Sequence, residues 1–83
     1  MQILYFGWVR TRIGIGGEIL EPPTDITNVR ALVEWLKQRG ESYRVALEDL
    51  TTIRVAINQE MANLDATISS EDEVALFPPM TGG

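Results

Sequence analysis

An 83-residue chain with no cysteine and no histidine has the length of one domain. It excludes disulfide scaffolds and thiolate chemistry, and it lacks the commonest general base and zinc ligand. Its net charge of −5 and seven scattered Lys/Arg residues argue against nucleic acid as a partner, and 45% apolar residues is a globular composition.

Ile3-Leu4-Tyr5-Phe6-Gly7-Trp8-Val9 is apolar on both faces, which predicts a central strand covered on both sides. Arg10-Thr11-Arg12-Ile13-Gly14 then reads as a turn and Gly14-Ile15-Gly16-Gly17 as a loop. Glu18-Ile19-Leu20-Glu21 can pair back as an antiparallel strand. Pro22-Pro23 ends it, since proline has no N–H for a ladder.

Val29, Leu32, Val33 and Leu36 follow one face of a helix. Thr27 or Asn28 can cap its start by accepting a bond from a free N–H. Lys37 and Arg39 suit its last turn, and Gly40 a left-handed close. Tyr43, Leu47 and Leu50 suggest a second, shorter helical piece. Ile53-Arg54-Val55-Ala56-Ile57 alternates as a strand, Asn58-Gln59 reads as a turn, and Met61 to Leu64 as a short return strand. Ser69-Ser70-Glu71-Asp72-Glu73 is a polar turn before a last strand, Val74-Ala75-Leu76-Phe77.

This order predicts an α+β domain over residues 1–77, a mixed sheet crossed by one main helix. It resembles the β-grasp fold of ubiquitin-like proteins. If the strands flanking the helix are parallel, the connection should be right-handed. Residues 78–83 are expected to form an extended, flexible tail, stiffened at its root by Pro78-Pro79 and ending in Gly82-Gly83. Two glycines put no side chain beside the terminal carboxylate and let the backbone thread a narrow channel. A partner enzyme can adenylate such a carboxylate, and a sulfur donor can displace AMP to leave a thiocarboxylate. The chain would then be a carrier and its partner the catalyst.

Glu71 through Phe77, followed by Pro78-Pro79-Met80-Thr81-Gly82-Gly83, resembles the end of the molybdopterin synthase sulfur-carrier subunits: an acidic turn, a Val-Ala-aromatic strand, Pro-Pro and a short link to Gly-Gly. Val55-Ala56-Ile57-Asn58-Gln59, Ala46-Leu47-Glu48-Asp49 and the opening segment through Val9-Arg10 also fit that family. The loop Gly14–Gly17 and Met80, where a smaller aliphatic residue is common, depart from it.

The resemblance implies that Gly83 is adenylated by an ATP-dependent activating enzyme of the ubiquitin-activating type and then thiocarboxylated from a sulfur donor. Pro79, Met80, Thr81, Gly82 and Gly83 would enter the large synthase subunit, where sulfur passes to cyclic pyranopterin monophosphate within a heterotetramer. Phe6, Met61, Phe77 and Pro78 would form the partner interface. No cofactor would be bound by the chain itself, and ATP would be used by the activating enzyme.

Other signals are weaker. Gly14–Gly17 lacks phosphate-loop spacing, Glu71-Asp72-Glu73 lacks calcium-loop spacing, and no hydroxyl has a histidine to activate it. No metal site is expected. No run of 18 apolar residues and no signal-peptide order occurs, so the expected location is cytoplasmic, with no membrane partner. The competing functions are a sulfur carrier for thiazole synthesis, a ubiquitin-like protein modifier and a plain interaction module. Pro78-Pro79 argues against the first of these, and Thr81, where modifiers often carry arginine, against the second.

Overall fold

The computed structural model describes residues 1–79. Within them the chain runs β1 (Gln2–Tyr5), α1 (Gly7–Ile13), β2 (Gly17–Ile19), α2 (Val29–Lys37), α3 (Glu41–Ala46), a 3-10 turn (Leu50–Thr52), β3 (Arg54–Ile57), β4 (Glu60–Ala62) and β5 (Glu73–Phe77). The strands form one mixed sheet in the order β2-β1-β5-β3-β4. β1 and β5 pair in parallel at its centre, and the other three pairings are antiparallel.

Side chains alternate across a sheet, and this sets the core. Ile3, Tyr5, Val55, Val74 and Leu76 point to one side and are buried. Val29, Leu32, Val33 and Leu36, the predicted stripe of α2, join them in a single apolar cluster. The start of α2 leaves no N–H unpaired: Asn28 Oδ1 accepts from Ala31 N at 2.8 Å and Asn28 O from Leu32 N. The carbonyls of Ala66 and Leu64 take the N–H groups of Val29 and Arg30. The segment 63–68 thus serves as the floor on which the helix begins.

Three expectations change. The strand predicted over Ile3–Val9 stops at Tyr5, and the turn predicted over Arg10–Gly14 belongs to α1. Gly7 has φ +58°, a conformation open to glycine, which turns the chain out of the sheet. Val9 and Ile13, four apart, then bury one face of α1. Gly14, at φ 99°, closes the helix by donating its N–H to Arg10 O at 2.8 Å. Gly40 does not close α2, which ends at Lys37 with Gln38 as its cap; it stands instead at the start of α3. Finally, β1 is internal to the sheet but covered by helices on one side only.

Arg39 lies beyond the end of α2, and its guanidinium pairs with Glu18 Oε1 at 3.3 Å. Glu18 Oε2 accepts from the phenols of Tyr5 at 2.8 Å and Tyr43 at 2.7 Å. One carboxylate thereby ties β2 to β1, α3 and the α2–α3 link. Burial, and next the hydrogen bond to Glu18, push the Tyr5 phenol far above its ordinary range, so it remains a donor. Glu18→Ala should leave the buried Tyr5 hydroxyl without a partner. A loss of about 2–4 kcal/mol is expected, since an orphaned buried donor costs ~1–3 kcal/mol beyond the bonds removed. The melting temperature of a domain this size should fall by at least about 8 °C, and Glu18→Gln, which keeps the acceptor, should fall less. Equal melting points for Glu18→Ala and the wild type would contradict this role.

Candidate functional site

The sheet face opposite the helices is apolar and open. The register sets Leu4 beside Ala75, Ala75 beside Ala56, and Ala56 beside Met61, so one row of small and apolar side chains crosses four strands. Phe6 and Phe77 continue the alternation at one end of this face. Phe6 is 46% exposed and Met61 68% exposed, large values for apolar side chains at a protein surface. A groove of about 840 Å³ lies over the row, with Phe6, Phe77, Pro78 and Pro79 along its wall.

Of the residues singled out in the sequence, Phe6, Phe77, Pro78 and Pro79 come together at this groove, and Met61 stands on the same face at the edge strand β4. Met80, Thr81, Gly82 and Gly83 lie outside the described residues. The groove floor, Leu4, Ala56 and Ala75, escaped the sequence reading. Its signal was present: β1 and β5 are apolar at odd and even positions alike, yet helices cover only one side.

Gly7 also belongs to the site. A Cβ built on it would stand 2.7 Å from Pro78 Cγ and 2.8 Å from Cδ. The proline ring therefore occupies the space that a side chain at position 7 would need. Phe6 N donates to Leu76 O at 3.1 Å and extends the parallel pairing to the point where the two segments meet. The chain leaves β5 across the N-terminus of α1, with its direction fixed by this contact.

The polar wall is supplied by Gln59 and Glu73. Asn58 anchors the turn between β3 and β4: its Nδ2 donates to Asp72 Oδ1 at 3.0 Å, and its Oδ1 accepts from Glu73 N at 3.0 Å. Asp72 also accepts from Ser69 N at 2.8 Å. The Asn58 bond first, and then the Ser69 bond, hold the Asp72 carboxyl below its ordinary range. Its stabilising contribution is therefore complete above the ordinary carboxylate pKa and is lost as pH falls through the depressed value. The lining groups carry no nucleophile paired with a base. The geometry is suited to holding an apolar surface beside the exit of the chain at Pro79.

The comparisons with known proteins point the same way. The model of the ThiS family matches residues 3–83. A molybdopterin synthase sulfur carrier subunit from Haemophilus influenzae is 37% identical over 83 residues, covering 100% of this chain and 99% of that protein. Among solved structures, a putative molybdopterin converting factor subunit 1 from Pyrococcus furiosus superposes with a TM-score of 0.75 at 28% identity, over 95% of each chain. A chain in the complex of subunits 1 and 2 of molybdopterin-converting factor from Helicobacter pylori shares the fold, with a TM-score of 0.63 at 22% identity, over 99% of this chain and 96% of that one.

Proposed function

This chain belongs to the ThiS family, and from that membership we propose that it is the sulfur-carrier subunit of a molybdopterin synthase. The observation that carries the reading is the end-to-end likeness to a protein named for that role. The ubiquitin-like β-grasp sheet, with an apolar groove at the exit of β5, suits a carrier that docks by one face and presents its end.

In this reading Gly83 is the working residue. Its carboxylate attacks the α-phosphorus of ATP on an activating enzyme and releases pyrophosphate. A sulfur donor then displaces AMP and leaves a thiocarboxylate. Pro79 through Gly83 enter the large synthase subunit, while Phe6, Met61, Phe77 and Pro78 seat against its surface, and the sulfur passes to cyclic pyranopterin monophosphate. The catalytic groups belong to the partners, ATP is the activating enzyme's substrate, and this chain needs no cofactor of its own. Among the described residues no helix is long and apolar enough to cross a membrane, and the proposed place of work is the cytoplasm.

Intact mass tests the carrier chemistry. Incubation with the host's activating enzyme, ATP and a sulfur source should replace one oxygen by one sulfur. No change with a competent activating enzyme would refute the reading, and covalent ladders on other proteins would favour a modifier. Phe77→Ala should weaken association with the large subunit about tenfold or more, as truncation of a central aromatic anchor does. Unchanged affinity would remove Phe77 from the interface.

A further inference from the structure

The two residues joining β3 to β4 both adopt positive φ, 52° at Asn58 and 70° at Gln59. Two-residue hairpin turns of this hand favour glycine at the second position, because a side chain there crowds the backbone. Asn58 has a structural reason to stand where it does: its side chain closes the turn onto Asp72 and Glu73. Asparagine is also among the residues that tolerate this region.

Gln59 has neither excuse. It is exposed, and no hydrogen bond among the described residues involves its amide. Gln59 instead lines the apolar groove at its Glu73 end, the end of β5 away from Phe77. A strained residue that returns nothing to the fold, at the edge of a binding surface, is the pattern expected where conformation serves recognition. Interfaces of this kind have an apolar centre and a polar rim. A primary amide offers both a donor and an acceptor, the complement of a peptide group.

We infer that Gln59 is a recognition residue: its amide hydrogen-bonds the main chain of the large subunit at the rim of the groove, and the left-handed backbone aims it there. This rests on the carrier reading above. It adds to the apolar contacts a polar one that gives the docked chain its register, since an amide left unpaired in a closed interface is penalised.

The test uses the full-length chain and the purified large subunit of its host, with affinity from calorimetry and stability from thermal melts. Gln59→Gly removes the strain and the amide together. It should melt no lower than the wild type yet bind about three- to tenfold more weakly, the share of one hydrogen bond. Gln59→Met keeps the length and the strained backbone but has no amide, and it should show the same loss of affinity. Wild-type affinity in either variant overturns the assignment: for glycine because the side chain would be idle, for methionine because only its bulk would matter. If the wild-type chain itself fails to bind a competent large subunit, the carrier reading fails and this inference falls with it. That outcome is distinct from a wild type that binds and variants that bind equally well.

Discussion

Deleting Gly83 is expected to abolish thiocarboxylate formation and sulfur transfer while leaving the melting temperature of the domain unchanged. The two halves of this result have separate causes. In the proposed carrier chemistry the Gly83 carboxylate reacts with no side chain beside it. Removing Gly83 moves that group one residue back, shortening the reach by about 3.3–3.6 Å, and a displacement of even ~1 Å at a reacting centre can cost about a hundredfold. The stability half follows from where the core ends. The apolar cluster runs from Ile3 to Leu76, and β5 ends at Phe77. Thermal melts and intact mass on the same sample separate the two. A fall in melting temperature comparable to a core truncation would show that the tail takes part in the fold. A full mass shift in the deletion would move the chemistry away from Gly83. Gly83→Ala is the milder companion. It keeps the reach, adds one methyl group and reports how narrow the channel is.

Most of the fold could be read from the sequence because its elements carry one signal each. The stripe Val29, Leu32, Val33 and Leu36 is buried in full, and Asn28 caps it. β3, the Asn58-Gln59 turn and β5 also stand where alternation put them. The opening segment failed for a physical reason. Three environments share the apolar run Ile3–Val9: Ile3 and Tyr5 face the helices, Leu4 and Phe6 face the open groove, and Val9 is buried from α1. A binary pattern cannot separate these, so strand and helix merged into one predicted strand. The clue was Gly7 inside the run, together with Val9 and Ile13 spaced four apart ahead of Gly14. Gly40 misled in the opposite sense, because a glycine after a helix suggests a close and this one opens the next helix. The residues proposed for the interface came from the family resemblance. The groove floor that joins Phe6, Phe77 and Pro78 needed the strand register, since Leu4, Ala75 and Ala56 are far apart in sequence.

Gly7→Ala should produce one of the largest effects of any single methyl group added to this domain. Two costs arise at once. At φ +58° an L side chain costs ~1–2 kcal/mol. The new Cβ would also meet Pro78 Cγ at 2.7 Å, and overpacking of that kind costs ~1–3 kcal/mol. The clashing atoms belong to a proline ring, which cannot swing aside as a flexible side chain would. A total of about 2–5 kcal/mol is expected, read as a fall of at least about 8 °C in a melt. Gly14→Ala is the internal control. Gly14 has φ 99°, but a Cβ added there would meet nothing within 4 Å, so it carries the backbone cost alone. Because the two φ values differ, it is Pro78→Ala in a double-mutant cycle that isolates the Pro78 contact, and it should reduce the loss from Gly7→Ala. If the cost of Gly7→Ala with Pro78 in place and its cost in the Pro78→Ala background are equal, Pro78 does not seat on Gly7. If they differ, the fraction of Gly7→Ala that stays folded should also be thiocarboxylated more slowly. The ring can yield only by moving the backbone at Pro78, and that backbone sets the line along which the carrier's end leaves the sheet.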